Sequence, residues 1–380
     1  MRVQLRPEAM VGLLVMVAAL ACGSSSSTPG AGGGAGDGGG GSGSSGGSSG
    51  SSSSGGGSSG GGSGAGSDAG SASRDASNSN GEAGSPPPTD GGTAGTIQHV
   101  FVIAMENHDS TEIYGDTTDA PYINNMLLAM GAHATNFGDE LSLIIPSEPH
   151  YVWMEAATNV FSDVTFTSDA DPSPSNSTSN TAHLATQIEA AGGPTWRTYQ
   201  EGLTATTGAC PIHSDSFYAA KHDPFVFFQD VVGSTPSATS ARCVMHHRAY
   251  SAFAADLAGG DVASYTFITP NLCNDMHGAS GCPDSNTIKS GDDWLKTELP
   301  PLITYANAHA GVILLAWDEG DTTGKMPFVA LGPTVKAGYT GSVAYTHSSL
   351  VKSIDEILGL PVLAKAASAS DLSDLFTTFP

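Results

Sequence analysis

From residue 98 onward the hydrophobic positions switch between two patterns. Gln98–Met105 (QHVFVIAM), Ser264–Thr269 (SYTFIT) and Gly311–Trp317 (GVILLAW) are short apolar runs rich in β-branched and aromatic residues, as expected of strands buried on both faces. Thr195–Tyr199 and Phe328–Leu331 read as shorter strands. Between these runs the apolar residues take helical spacing. The predicted helices are Tyr122–Met130, Ser147–Ala157, Thr181–Ala191 (stopped by Gly192-Gly193), Tyr250–Ala258, Asp292–Ala306 despite Pro300-Pro301, and Ser348–Leu358. Such alternation predicts an α/β fold, a mainly parallel central sheet flanked by helices. Polar stretches such as Ser162–Ser179 read as excursions over the active face.

Before residue 96 the pattern changes. Arg2 and Arg6 precede the apolar run Met10–Leu20, and small residues close it. Residues 1–22 therefore read as an export signal, with a run too short for a comfortable membrane span. Ala19-Leu20-Ala21-Cys22 resembles a bacterial lipobox, with Ala19 where such boxes usually carry leucine. Lipidation at Cys22 is the expectation, and cleavage by an ordinary signal peptidase is the alternative. Residues 23–95 hold 28 of the 49 glycines. They cannot bury a core and are expected to be a disordered Gly/Ser tether with a coil span of about 50 Å. Residues 96–380 then form one domain, large enough for a sizeable core. The expected address is outside the cytoplasm: an outer-membrane or cell-surface lipoprotein, alternatively a secreted or periplasmic protein.

Charge narrows the partners. The chain has 13 Lys and Arg against 37 Asp and Glu, a formal charge of −24, and residues 96–380 alone carry ten against 31. Nucleic acid is excluded as a partner, because its binding rests on basic residues neutralising phosphates. Docking on anionic lipid through a basic patch is disfavoured on the same ground, which leaves the Cys22 lipid as the membrane contact. The acidic surface is chiefly a solubility device, but carboxylates are also hard oxygen ligands for cations. With Cys22 set aside, Cys210, Cys243, Cys273 and Cys282 remain. An even number in an exported chain suggests two disulfides. Of the three pairings, Cys273–Cys282 with Cys210–Cys243 is favoured, closing a short and a longer loop. Zinc is the rival, although no C-x-x-C spacing occurs.

In α/β sheets, ligands sit beyond the carboxyl ends of the strands. Past Gln98–Met105 come Glu106-Asn107-His108-Asp109. Past Ser264–Thr269 come Pro270 to His277, including Asp275. Past Gly311–Trp317 come Asp318-Glu319-Gly320. Each cluster alone has a plain structural explanation: a helix cap, a hydrogen-bonded loop, a solvated turn. Acidic clusters at three strand ends together point to one site, since crowded carboxylates repel unless a cation or a shared proton compensates. A metal held by Asp, Glu, Asn and His is the economical solution.

Seven segments carry a family resemblance. They are Val102–Asn107, Pro146–Tyr151, Tyr218–Pro224, Pro270–His277, Gly291–Leu295, Trp317–Gly320 and Thr346–Ser349. In this order they are similar to the bacterial and fungal phosphoesterase family of acid phosphatases and phospholipases C, within the alkaline-phosphatase-like superfamily, over about Gln98–Leu360. Two segments depart from the family pattern. His150 stands where the family has asparagine, and Asp223 likewise. The resemblance implies a divalent metal ion, with Glu106, Asn107, Asp318 and Glu319 as ligands, and leaves two roles open for the third cluster: Asp275 and His277 as ligands of a second ion, or His277 in direct contact with the phosphate. It also implies that Ser147 attacks phosphorus and forms a phosphoserine, and that His222, His277 and His347 bind phosphate or move protons. Chemically this fits the needs of ester hydrolysis: a nucleophile, a cation for the equatorial oxygens, and an acid for the leaving alkoxide. Ser147 as an ordinary N-cap is the plain alternative.

His99, His133, His183, His213 and His309 read as surface or packing residues, while His246-His247 lies within possible reach of the site through Cys243. Trp153, Trp196, Trp294 and Trp317 read as core, and Asp292-Asp293 as a helix start. The sequence thus points to an exported, metal-dependent hydrolase of phosphoric esters, phosphatase or phospholipase C, leaning to soluble monoesters. The alternative is a non-catalytic cell-surface binding protein on the same scaffold. Sulfuric-ester hydrolysis lacks its Cys/Ser-x-Pro-x-Arg signature.

Overall fold

The fold is organised around eight strands that share one sheet. In the computed structural model, which describes residues 96–203 and 210–380, the strands are β1 (His99–Met105), β2 (Ala132–Ala134), β3 (Phe137–Gly138), β4 (Trp196–Gln200), β5 (His247–Ala249), β6 (Tyr265–Thr269), β7 (Gly311–Trp317), β8 (Lys325–Met326), β9 (Phe328–Leu331) and β10 (Tyr339–Gly341). The export signal, Cys22 and the Gly/Ser tract lie outside the described residues. The sheet order is β10-β2-β9-β7-β1-β6-β4-β5, and β3 pairs separately with β8. β9 runs against both its neighbours, and every other pairing in the large sheet is parallel. The expected α/β architecture with a mainly parallel sheet is what forms.

The centre of the sheet is its most apolar part. Every residue of β7 is buried, as is β1 beyond His99, because helices cover both faces of a parallel sheet. Register pairs Met105 with Trp317 and Ile103 with Ile268. The carboxyl ends of β7, β1 and β6 therefore lie side by side, and these are the three ends that carry the acidic clusters. Peptide hydrogen bonds extend the ladder past the strands, from Asp318 N to Met105 O (2.9 Å) and from Glu106 N to Asp275 O (2.8 Å).

The helices follow the predicted segments with shifted ends. Ser147–Ala156, Leu184–Ala191 and His347–Ile357 lie within a few residues of expectation. Gly192 closes the second of these at φ 70°, a conformation glycine adopts without Cβ strain. The Tyr122 segment is helical but contains a π turn over Ile123–Leu127. The longest helix, Thr287–Ala308, starts earlier than its apolar pattern, where Asn286 accepts a hydrogen bond from Lys289 N. Pro300 and Pro301 sit on its exposed face, so water can reach the carbonyls they leave free. Asp292 is therefore not at a helix start. It lies in the second turn, and its carboxylate accepts from Tyr122 N and Ile123 N (2.9 and 2.8 Å), tying the two helices together.

Candidate active site

Three strand ends and one helix supply the site. Glu106 follows β1 directly, and Asp318 and Glu319 follow β7. Asn107, at φ 44°, turns the chain sharply after Glu106, and its amide N–H donates to Asp318 Oδ1 (3.1 Å). Non-glycine residues in this region of backbone space are uncommon and gather at functional turns. Asp275 and His277 come from the loop after β6, with Met276 between them at φ 83°. That loop is stapled by a Cys273–Cys282 disulfide, and Cys210–Cys243 forms the second bridge; both are the favoured pairing. Gly291 lies against this loop, where a Cβ would meet Met276 Cγ at 2.4 Å.

Ser147 is the first residue of its helix, with Pro146 in the N-cap position, so it is not an N-cap serine. Its buried Oγ donates toward Glu106 Oε2 (3.2 Å) and Glu319 Oε1 (3.3 Å). The Asn107 side-chain amide, oriented to satisfy its surroundings, donates to the same two oxygens at 3.1 Å each. His222, ending a 3₁₀ turn over Ala220–His222, presents Nε2 to Glu106 Oε1 (3.0 Å) and Nδ1 to Asp275 Oδ2 (3.5 Å). Its ring stacks on Tyr151 at 4.9 Å. His277 donates its backbone N–H to Asp275 Oδ1 (2.8 Å), and its ring lies 5.7 Å from that of His222. Its Nδ1–H donates to Gly278 O (2.7 Å), which leaves Nε2 as the lone-pair nitrogen.

The electrostatics are those of anions forced together. Burial, reinforced by Asp275, raises the Glu106 pKa well above the usual carboxylate range. Burial with the charges of Glu106 and Glu319 does the same to Asp318, and burial with Asp318 to Asp275. Glu319 is pushed up to about 7, mainly by burial. Burial and the neighbouring Lys221 pull the His222 imidazole down, so it stays neutral. Four buried ligand atoms make no well-aligned hydrogen bond: Glu106 Oε1 and His222 Nε2, which face each other at 3.0 Å, and Asp275 Oδ2 and Asp318 Oδ2. Glu106, His222 and Asp275 offer ligand atoms within 4.8 Å of one another. Unpaired buried acceptors are costly, and neutral imidazole with carboxylate oxygens is a donor set suited to a divalent cation. The residues present fit a metal ion.

Not every residue singled out from sequence meets at this point. Ser147, Glu106, Asn107, Glu319, Asp318, Asp275, His222 and His277 do. His347 stands one ring back. Its Nε2–H donates to Trp317 O (2.8 Å), and it meets His150 edge-on at 6.4 Å. His246 stacks on Trp196 at 4.0 Å, and His247 pairs with Asp223 (2.9 Å), so neither ring contacts the carboxylates of the site. Of the four tryptophans, Trp153 is only partly buried and donates to Ser348 Oγ (2.9 Å). His183 packs in the interior as expected, held between Glu155 and Asp230.

Sequence reasoning missed the role of His150, which it read only as a departure from a motif. The ring lies one helical turn past Ser147, fully buried, with Nδ1 3.1 Å from Asp139 Oδ1, Nε2 donating to Ile145 O (3.1 Å), and Nε2 3.7 Å from Glu319 Oε2. Burial alone would lower its pKa, but Asp139 raises it to about 9, so it sets a positive charge behind Glu319. The i, i+3 spacing from Ser147 was the available signal. Lys221 was also passed over. It forms an ion pair with Asp169 (2.5 Å) and directly precedes His222.

The profile of the Phosphoesterase family matches residues 132–361. The chain belongs to the phosphoesterase family. It is 27% identical over 283 residues to a phosphatidylinositol-3-phosphatase of Mycobacterium tuberculosis, covering 74% of this chain and 83% of that protein. It is 31% identical over 267 residues to an acid phosphatase of Aspergillus fumigatus, covering 66% of this chain and 54% of that one. Among solved structures it is similar to a phosphonate monoester hydrolase from Silicibacter pomeroyi, with a TM-score of 0.48, 12% identity, and coverage of 74% and 77% of the two chains. The phosphoesterase reading from the sequence segments holds, and with it the enzyme class: a phosphoric ester hydrolase.

Proposed function

We propose that this phosphoesterase hydrolyses phosphomonoesters through a phosphoserine on Ser147, with a divalent metal ion held by Glu106, Asp275, Asp318 and His222. The observation that carries the reading is the position of Ser147 Oγ between Glu106 Oε2 and Glu319 Oε1, beside four unpartnered buried ligand atoms. Ser147 gives up its proton to one of those two carboxylates as Oγ bonds to phosphorus and the P–O bond to the alcohol breaks. The same proton then passes to the leaving alkoxide. Water adds to phosphorus in the second step, the Oγ–P bond breaks, and Oγ recovers a proton. A bound divalent ion would supply charge neutralisation for the phosphoryl oxygens and for the crowded carboxylates. Asn107 orients Glu106 and Glu319, and His150 holds Glu319 through charge and proximity. The non-catalytic alternative is disfavoured because a binding scaffold has no need of a serine hydroxyl set between two buried carboxylates.

The two disulfides suit an oxidising compartment, and no helix among the described residues is long and apolar enough to cross a membrane. We read the protein as exported and held to a membrane by lipid at Cys22. The deciding experiment is an assay of residues 96–380 with p-nitrophenyl phosphate and p-nitrophenyl phosphocholine, each with and without chelator. Chelator-sensitive turnover that favours the monoester is the expected result. Turnover of neither ester would overturn the hydrolase reading, and full activity in metal-free protein would remove the metal.

A further inference from the structure

Asp169 lies on the polar excursion over the site, and its carboxylate is shared by two donors. Oδ1 accepts the backbone N–H of Glu148 (3.0 Å), the residue after Ser147, and Oδ2 accepts from Lys221 Nζ (2.5 Å), the residue before His222. The pair is partly exposed, with the Lys221 side chain 22% and the Asp169 side chain 30% accessible. The excursion has other anchors. Ala170 N donates to Glu148 Oε2 (2.7 Å), Asn176 Nδ2 to the same oxygen (3.2 Å), and Ser214 Oγ to Asp171 Oδ1 (2.6 Å), while Asp163 holds Thr178 and Ser179 (2.7 Å each). Asp169 is therefore not needed to hold the loop. Its two oxygens engage a helix N-terminal amide and an ammonium, the same donors that a phosphoryl group would use.

We propose that Asp169 is an internal stand-in for the anionic group of the substrate, and that a phosphomonoester displaces it and takes Lys221 as its cationic contact. This inference rests on the function proposed above and adds to it the group that the substrate displaces. A dianionic monoester gains more from Lys221 than a monoanionic diester does, and it also loses more to the Asp169 charge, so the carboxylate sets an affinity cost that falls hardest on the dianion.

The test is titration of the metal-loaded domain with inorganic phosphate, followed calorimetrically, together with monoester and diester kinetics. Asp169→Asn is expected to tighten phosphate binding by about 3- to 10-fold and to raise kcat/KM more for the monoester than for the diester, as removal of a partly exposed competing charge allows. Lys221→Gln is expected to weaken phosphate binding about tenfold, with KM rising more than kcat falls. Asp169→Asn combined with Lys221→Gln should match Lys221→Gln alone, because the two act through one contact. Asp169→Glu keeps the charge and should keep wild-type phosphate affinity. If Asp169→Asn melts like wild type but binds phosphate no more tightly, or if Lys221→Gln binds it unchanged, the stand-in is wrong. Phosphate titration does not depend on turnover, so an inactive wild-type protein would refute the hydrolase while leaving this proposal to be decided on its own.

Discussion

Two buried polar clusters in this domain have opposite characters. Beneath the helix Leu184–Ala191, His183 donates to Glu155 Oε1 (2.9 Å) and Asp230 (3.2 Å). Asp230 Oδ2 also accepts from Thr186 (2.6 Å) and Arg242 (2.7 Å), and Glu155 accepts Ala185 N (2.7 Å). None of the charged atoms of these three residues lacks a partner. At the ends of β7, β1 and β6, four ligand atoms lack one. The first cluster alternates acid and base; the second gathers acids with a neutral imidazole. A satisfied network adds rigidity and specifies the fold, whereas an unsatisfied one costs stability and persists where a ligand completes it. The difference separates a saturated cluster from one with open ligand atoms without appeal to any relative.

The largest expected effect falls on the unsaturated cluster. Ser147→Ala should lower kcat for p-nitrophenyl phosphate by about 10⁴-fold or more, as loss of a nucleophile does elsewhere, and leave the thermal midpoint near wild type. Near-wild-type turnover would remove Ser147 from the mechanism. Next comes Asp318→Asn, which should cut activity by about 100-fold or more and reduce bound metal measured by elemental analysis. In chelated protein the same change should hold or raise the thermal midpoint, because it removes one of several mutually repelling buried charges. A lower midpoint for the chelated variant would erase the contrast between the clusters.

The smallest effect on catalysis belongs to the satisfied cluster. Asp230→Ala should destabilise the domain by about 3 kcal/mol, the cost of stranding a buried partner, with kcat per folded molecule unchanged. Its pH dependence has a definite sign. Burial would lower the His183 pKa, but Asp230 and Glu155 raise it, so its contribution is complete below the unfolded value of about 6.5 and is lost as pH rises through the folded value. Burial would raise the Asp230 pKa, but His183, Thr186 and Arg242 depress it, so its contribution is complete above about 3.9 and is lost as pH falls through the folded value. Wild type should therefore exceed His183→Gln in denaturant stability most between about pH 4 and pH 6.5. A difference that instead grows toward pH 9 would show that His183 is held neutral.

Much of this was legible before any coordinates. β1, β6, β7 and β9 were marked by continuous apolar runs, and β7 and β9 fall on their predicted bounds. β2, β5 and β10 were not foreseen, since a three-residue strand such as Ala132–Ala134 is too short to show a period. The antiparallel direction of β9 was equally invisible, because strand direction is a property of pairing and not of composition. In the site, the acidic residues at strand ends could be read off directly. The placement of His222 against Glu106 and Asp275 could not.

The sequence by itself determined that the segments of β1, β4, β6, β7 and β9 are strands, where polar residues follow them, and which side chains could carry phosphoryl chemistry. Those properties are local, set by side-chain type and by the periods of helix and strand. Tertiary structure decided that β7, β1 and β6 are neighbours, that Glu106, Asp318 and Asp275 therefore crowd one another, and that Ser147 lies between Glu106 and Glu319. It also decided that His183 is saturated while His222 is not. Burial, desolvation and unpaired acceptors arise between residues far apart in the chain: Ser147 and Glu319 are 172 positions apart and end 3.3 Å from each other. Such contacts exist only once the sheet has brought its strand ends together.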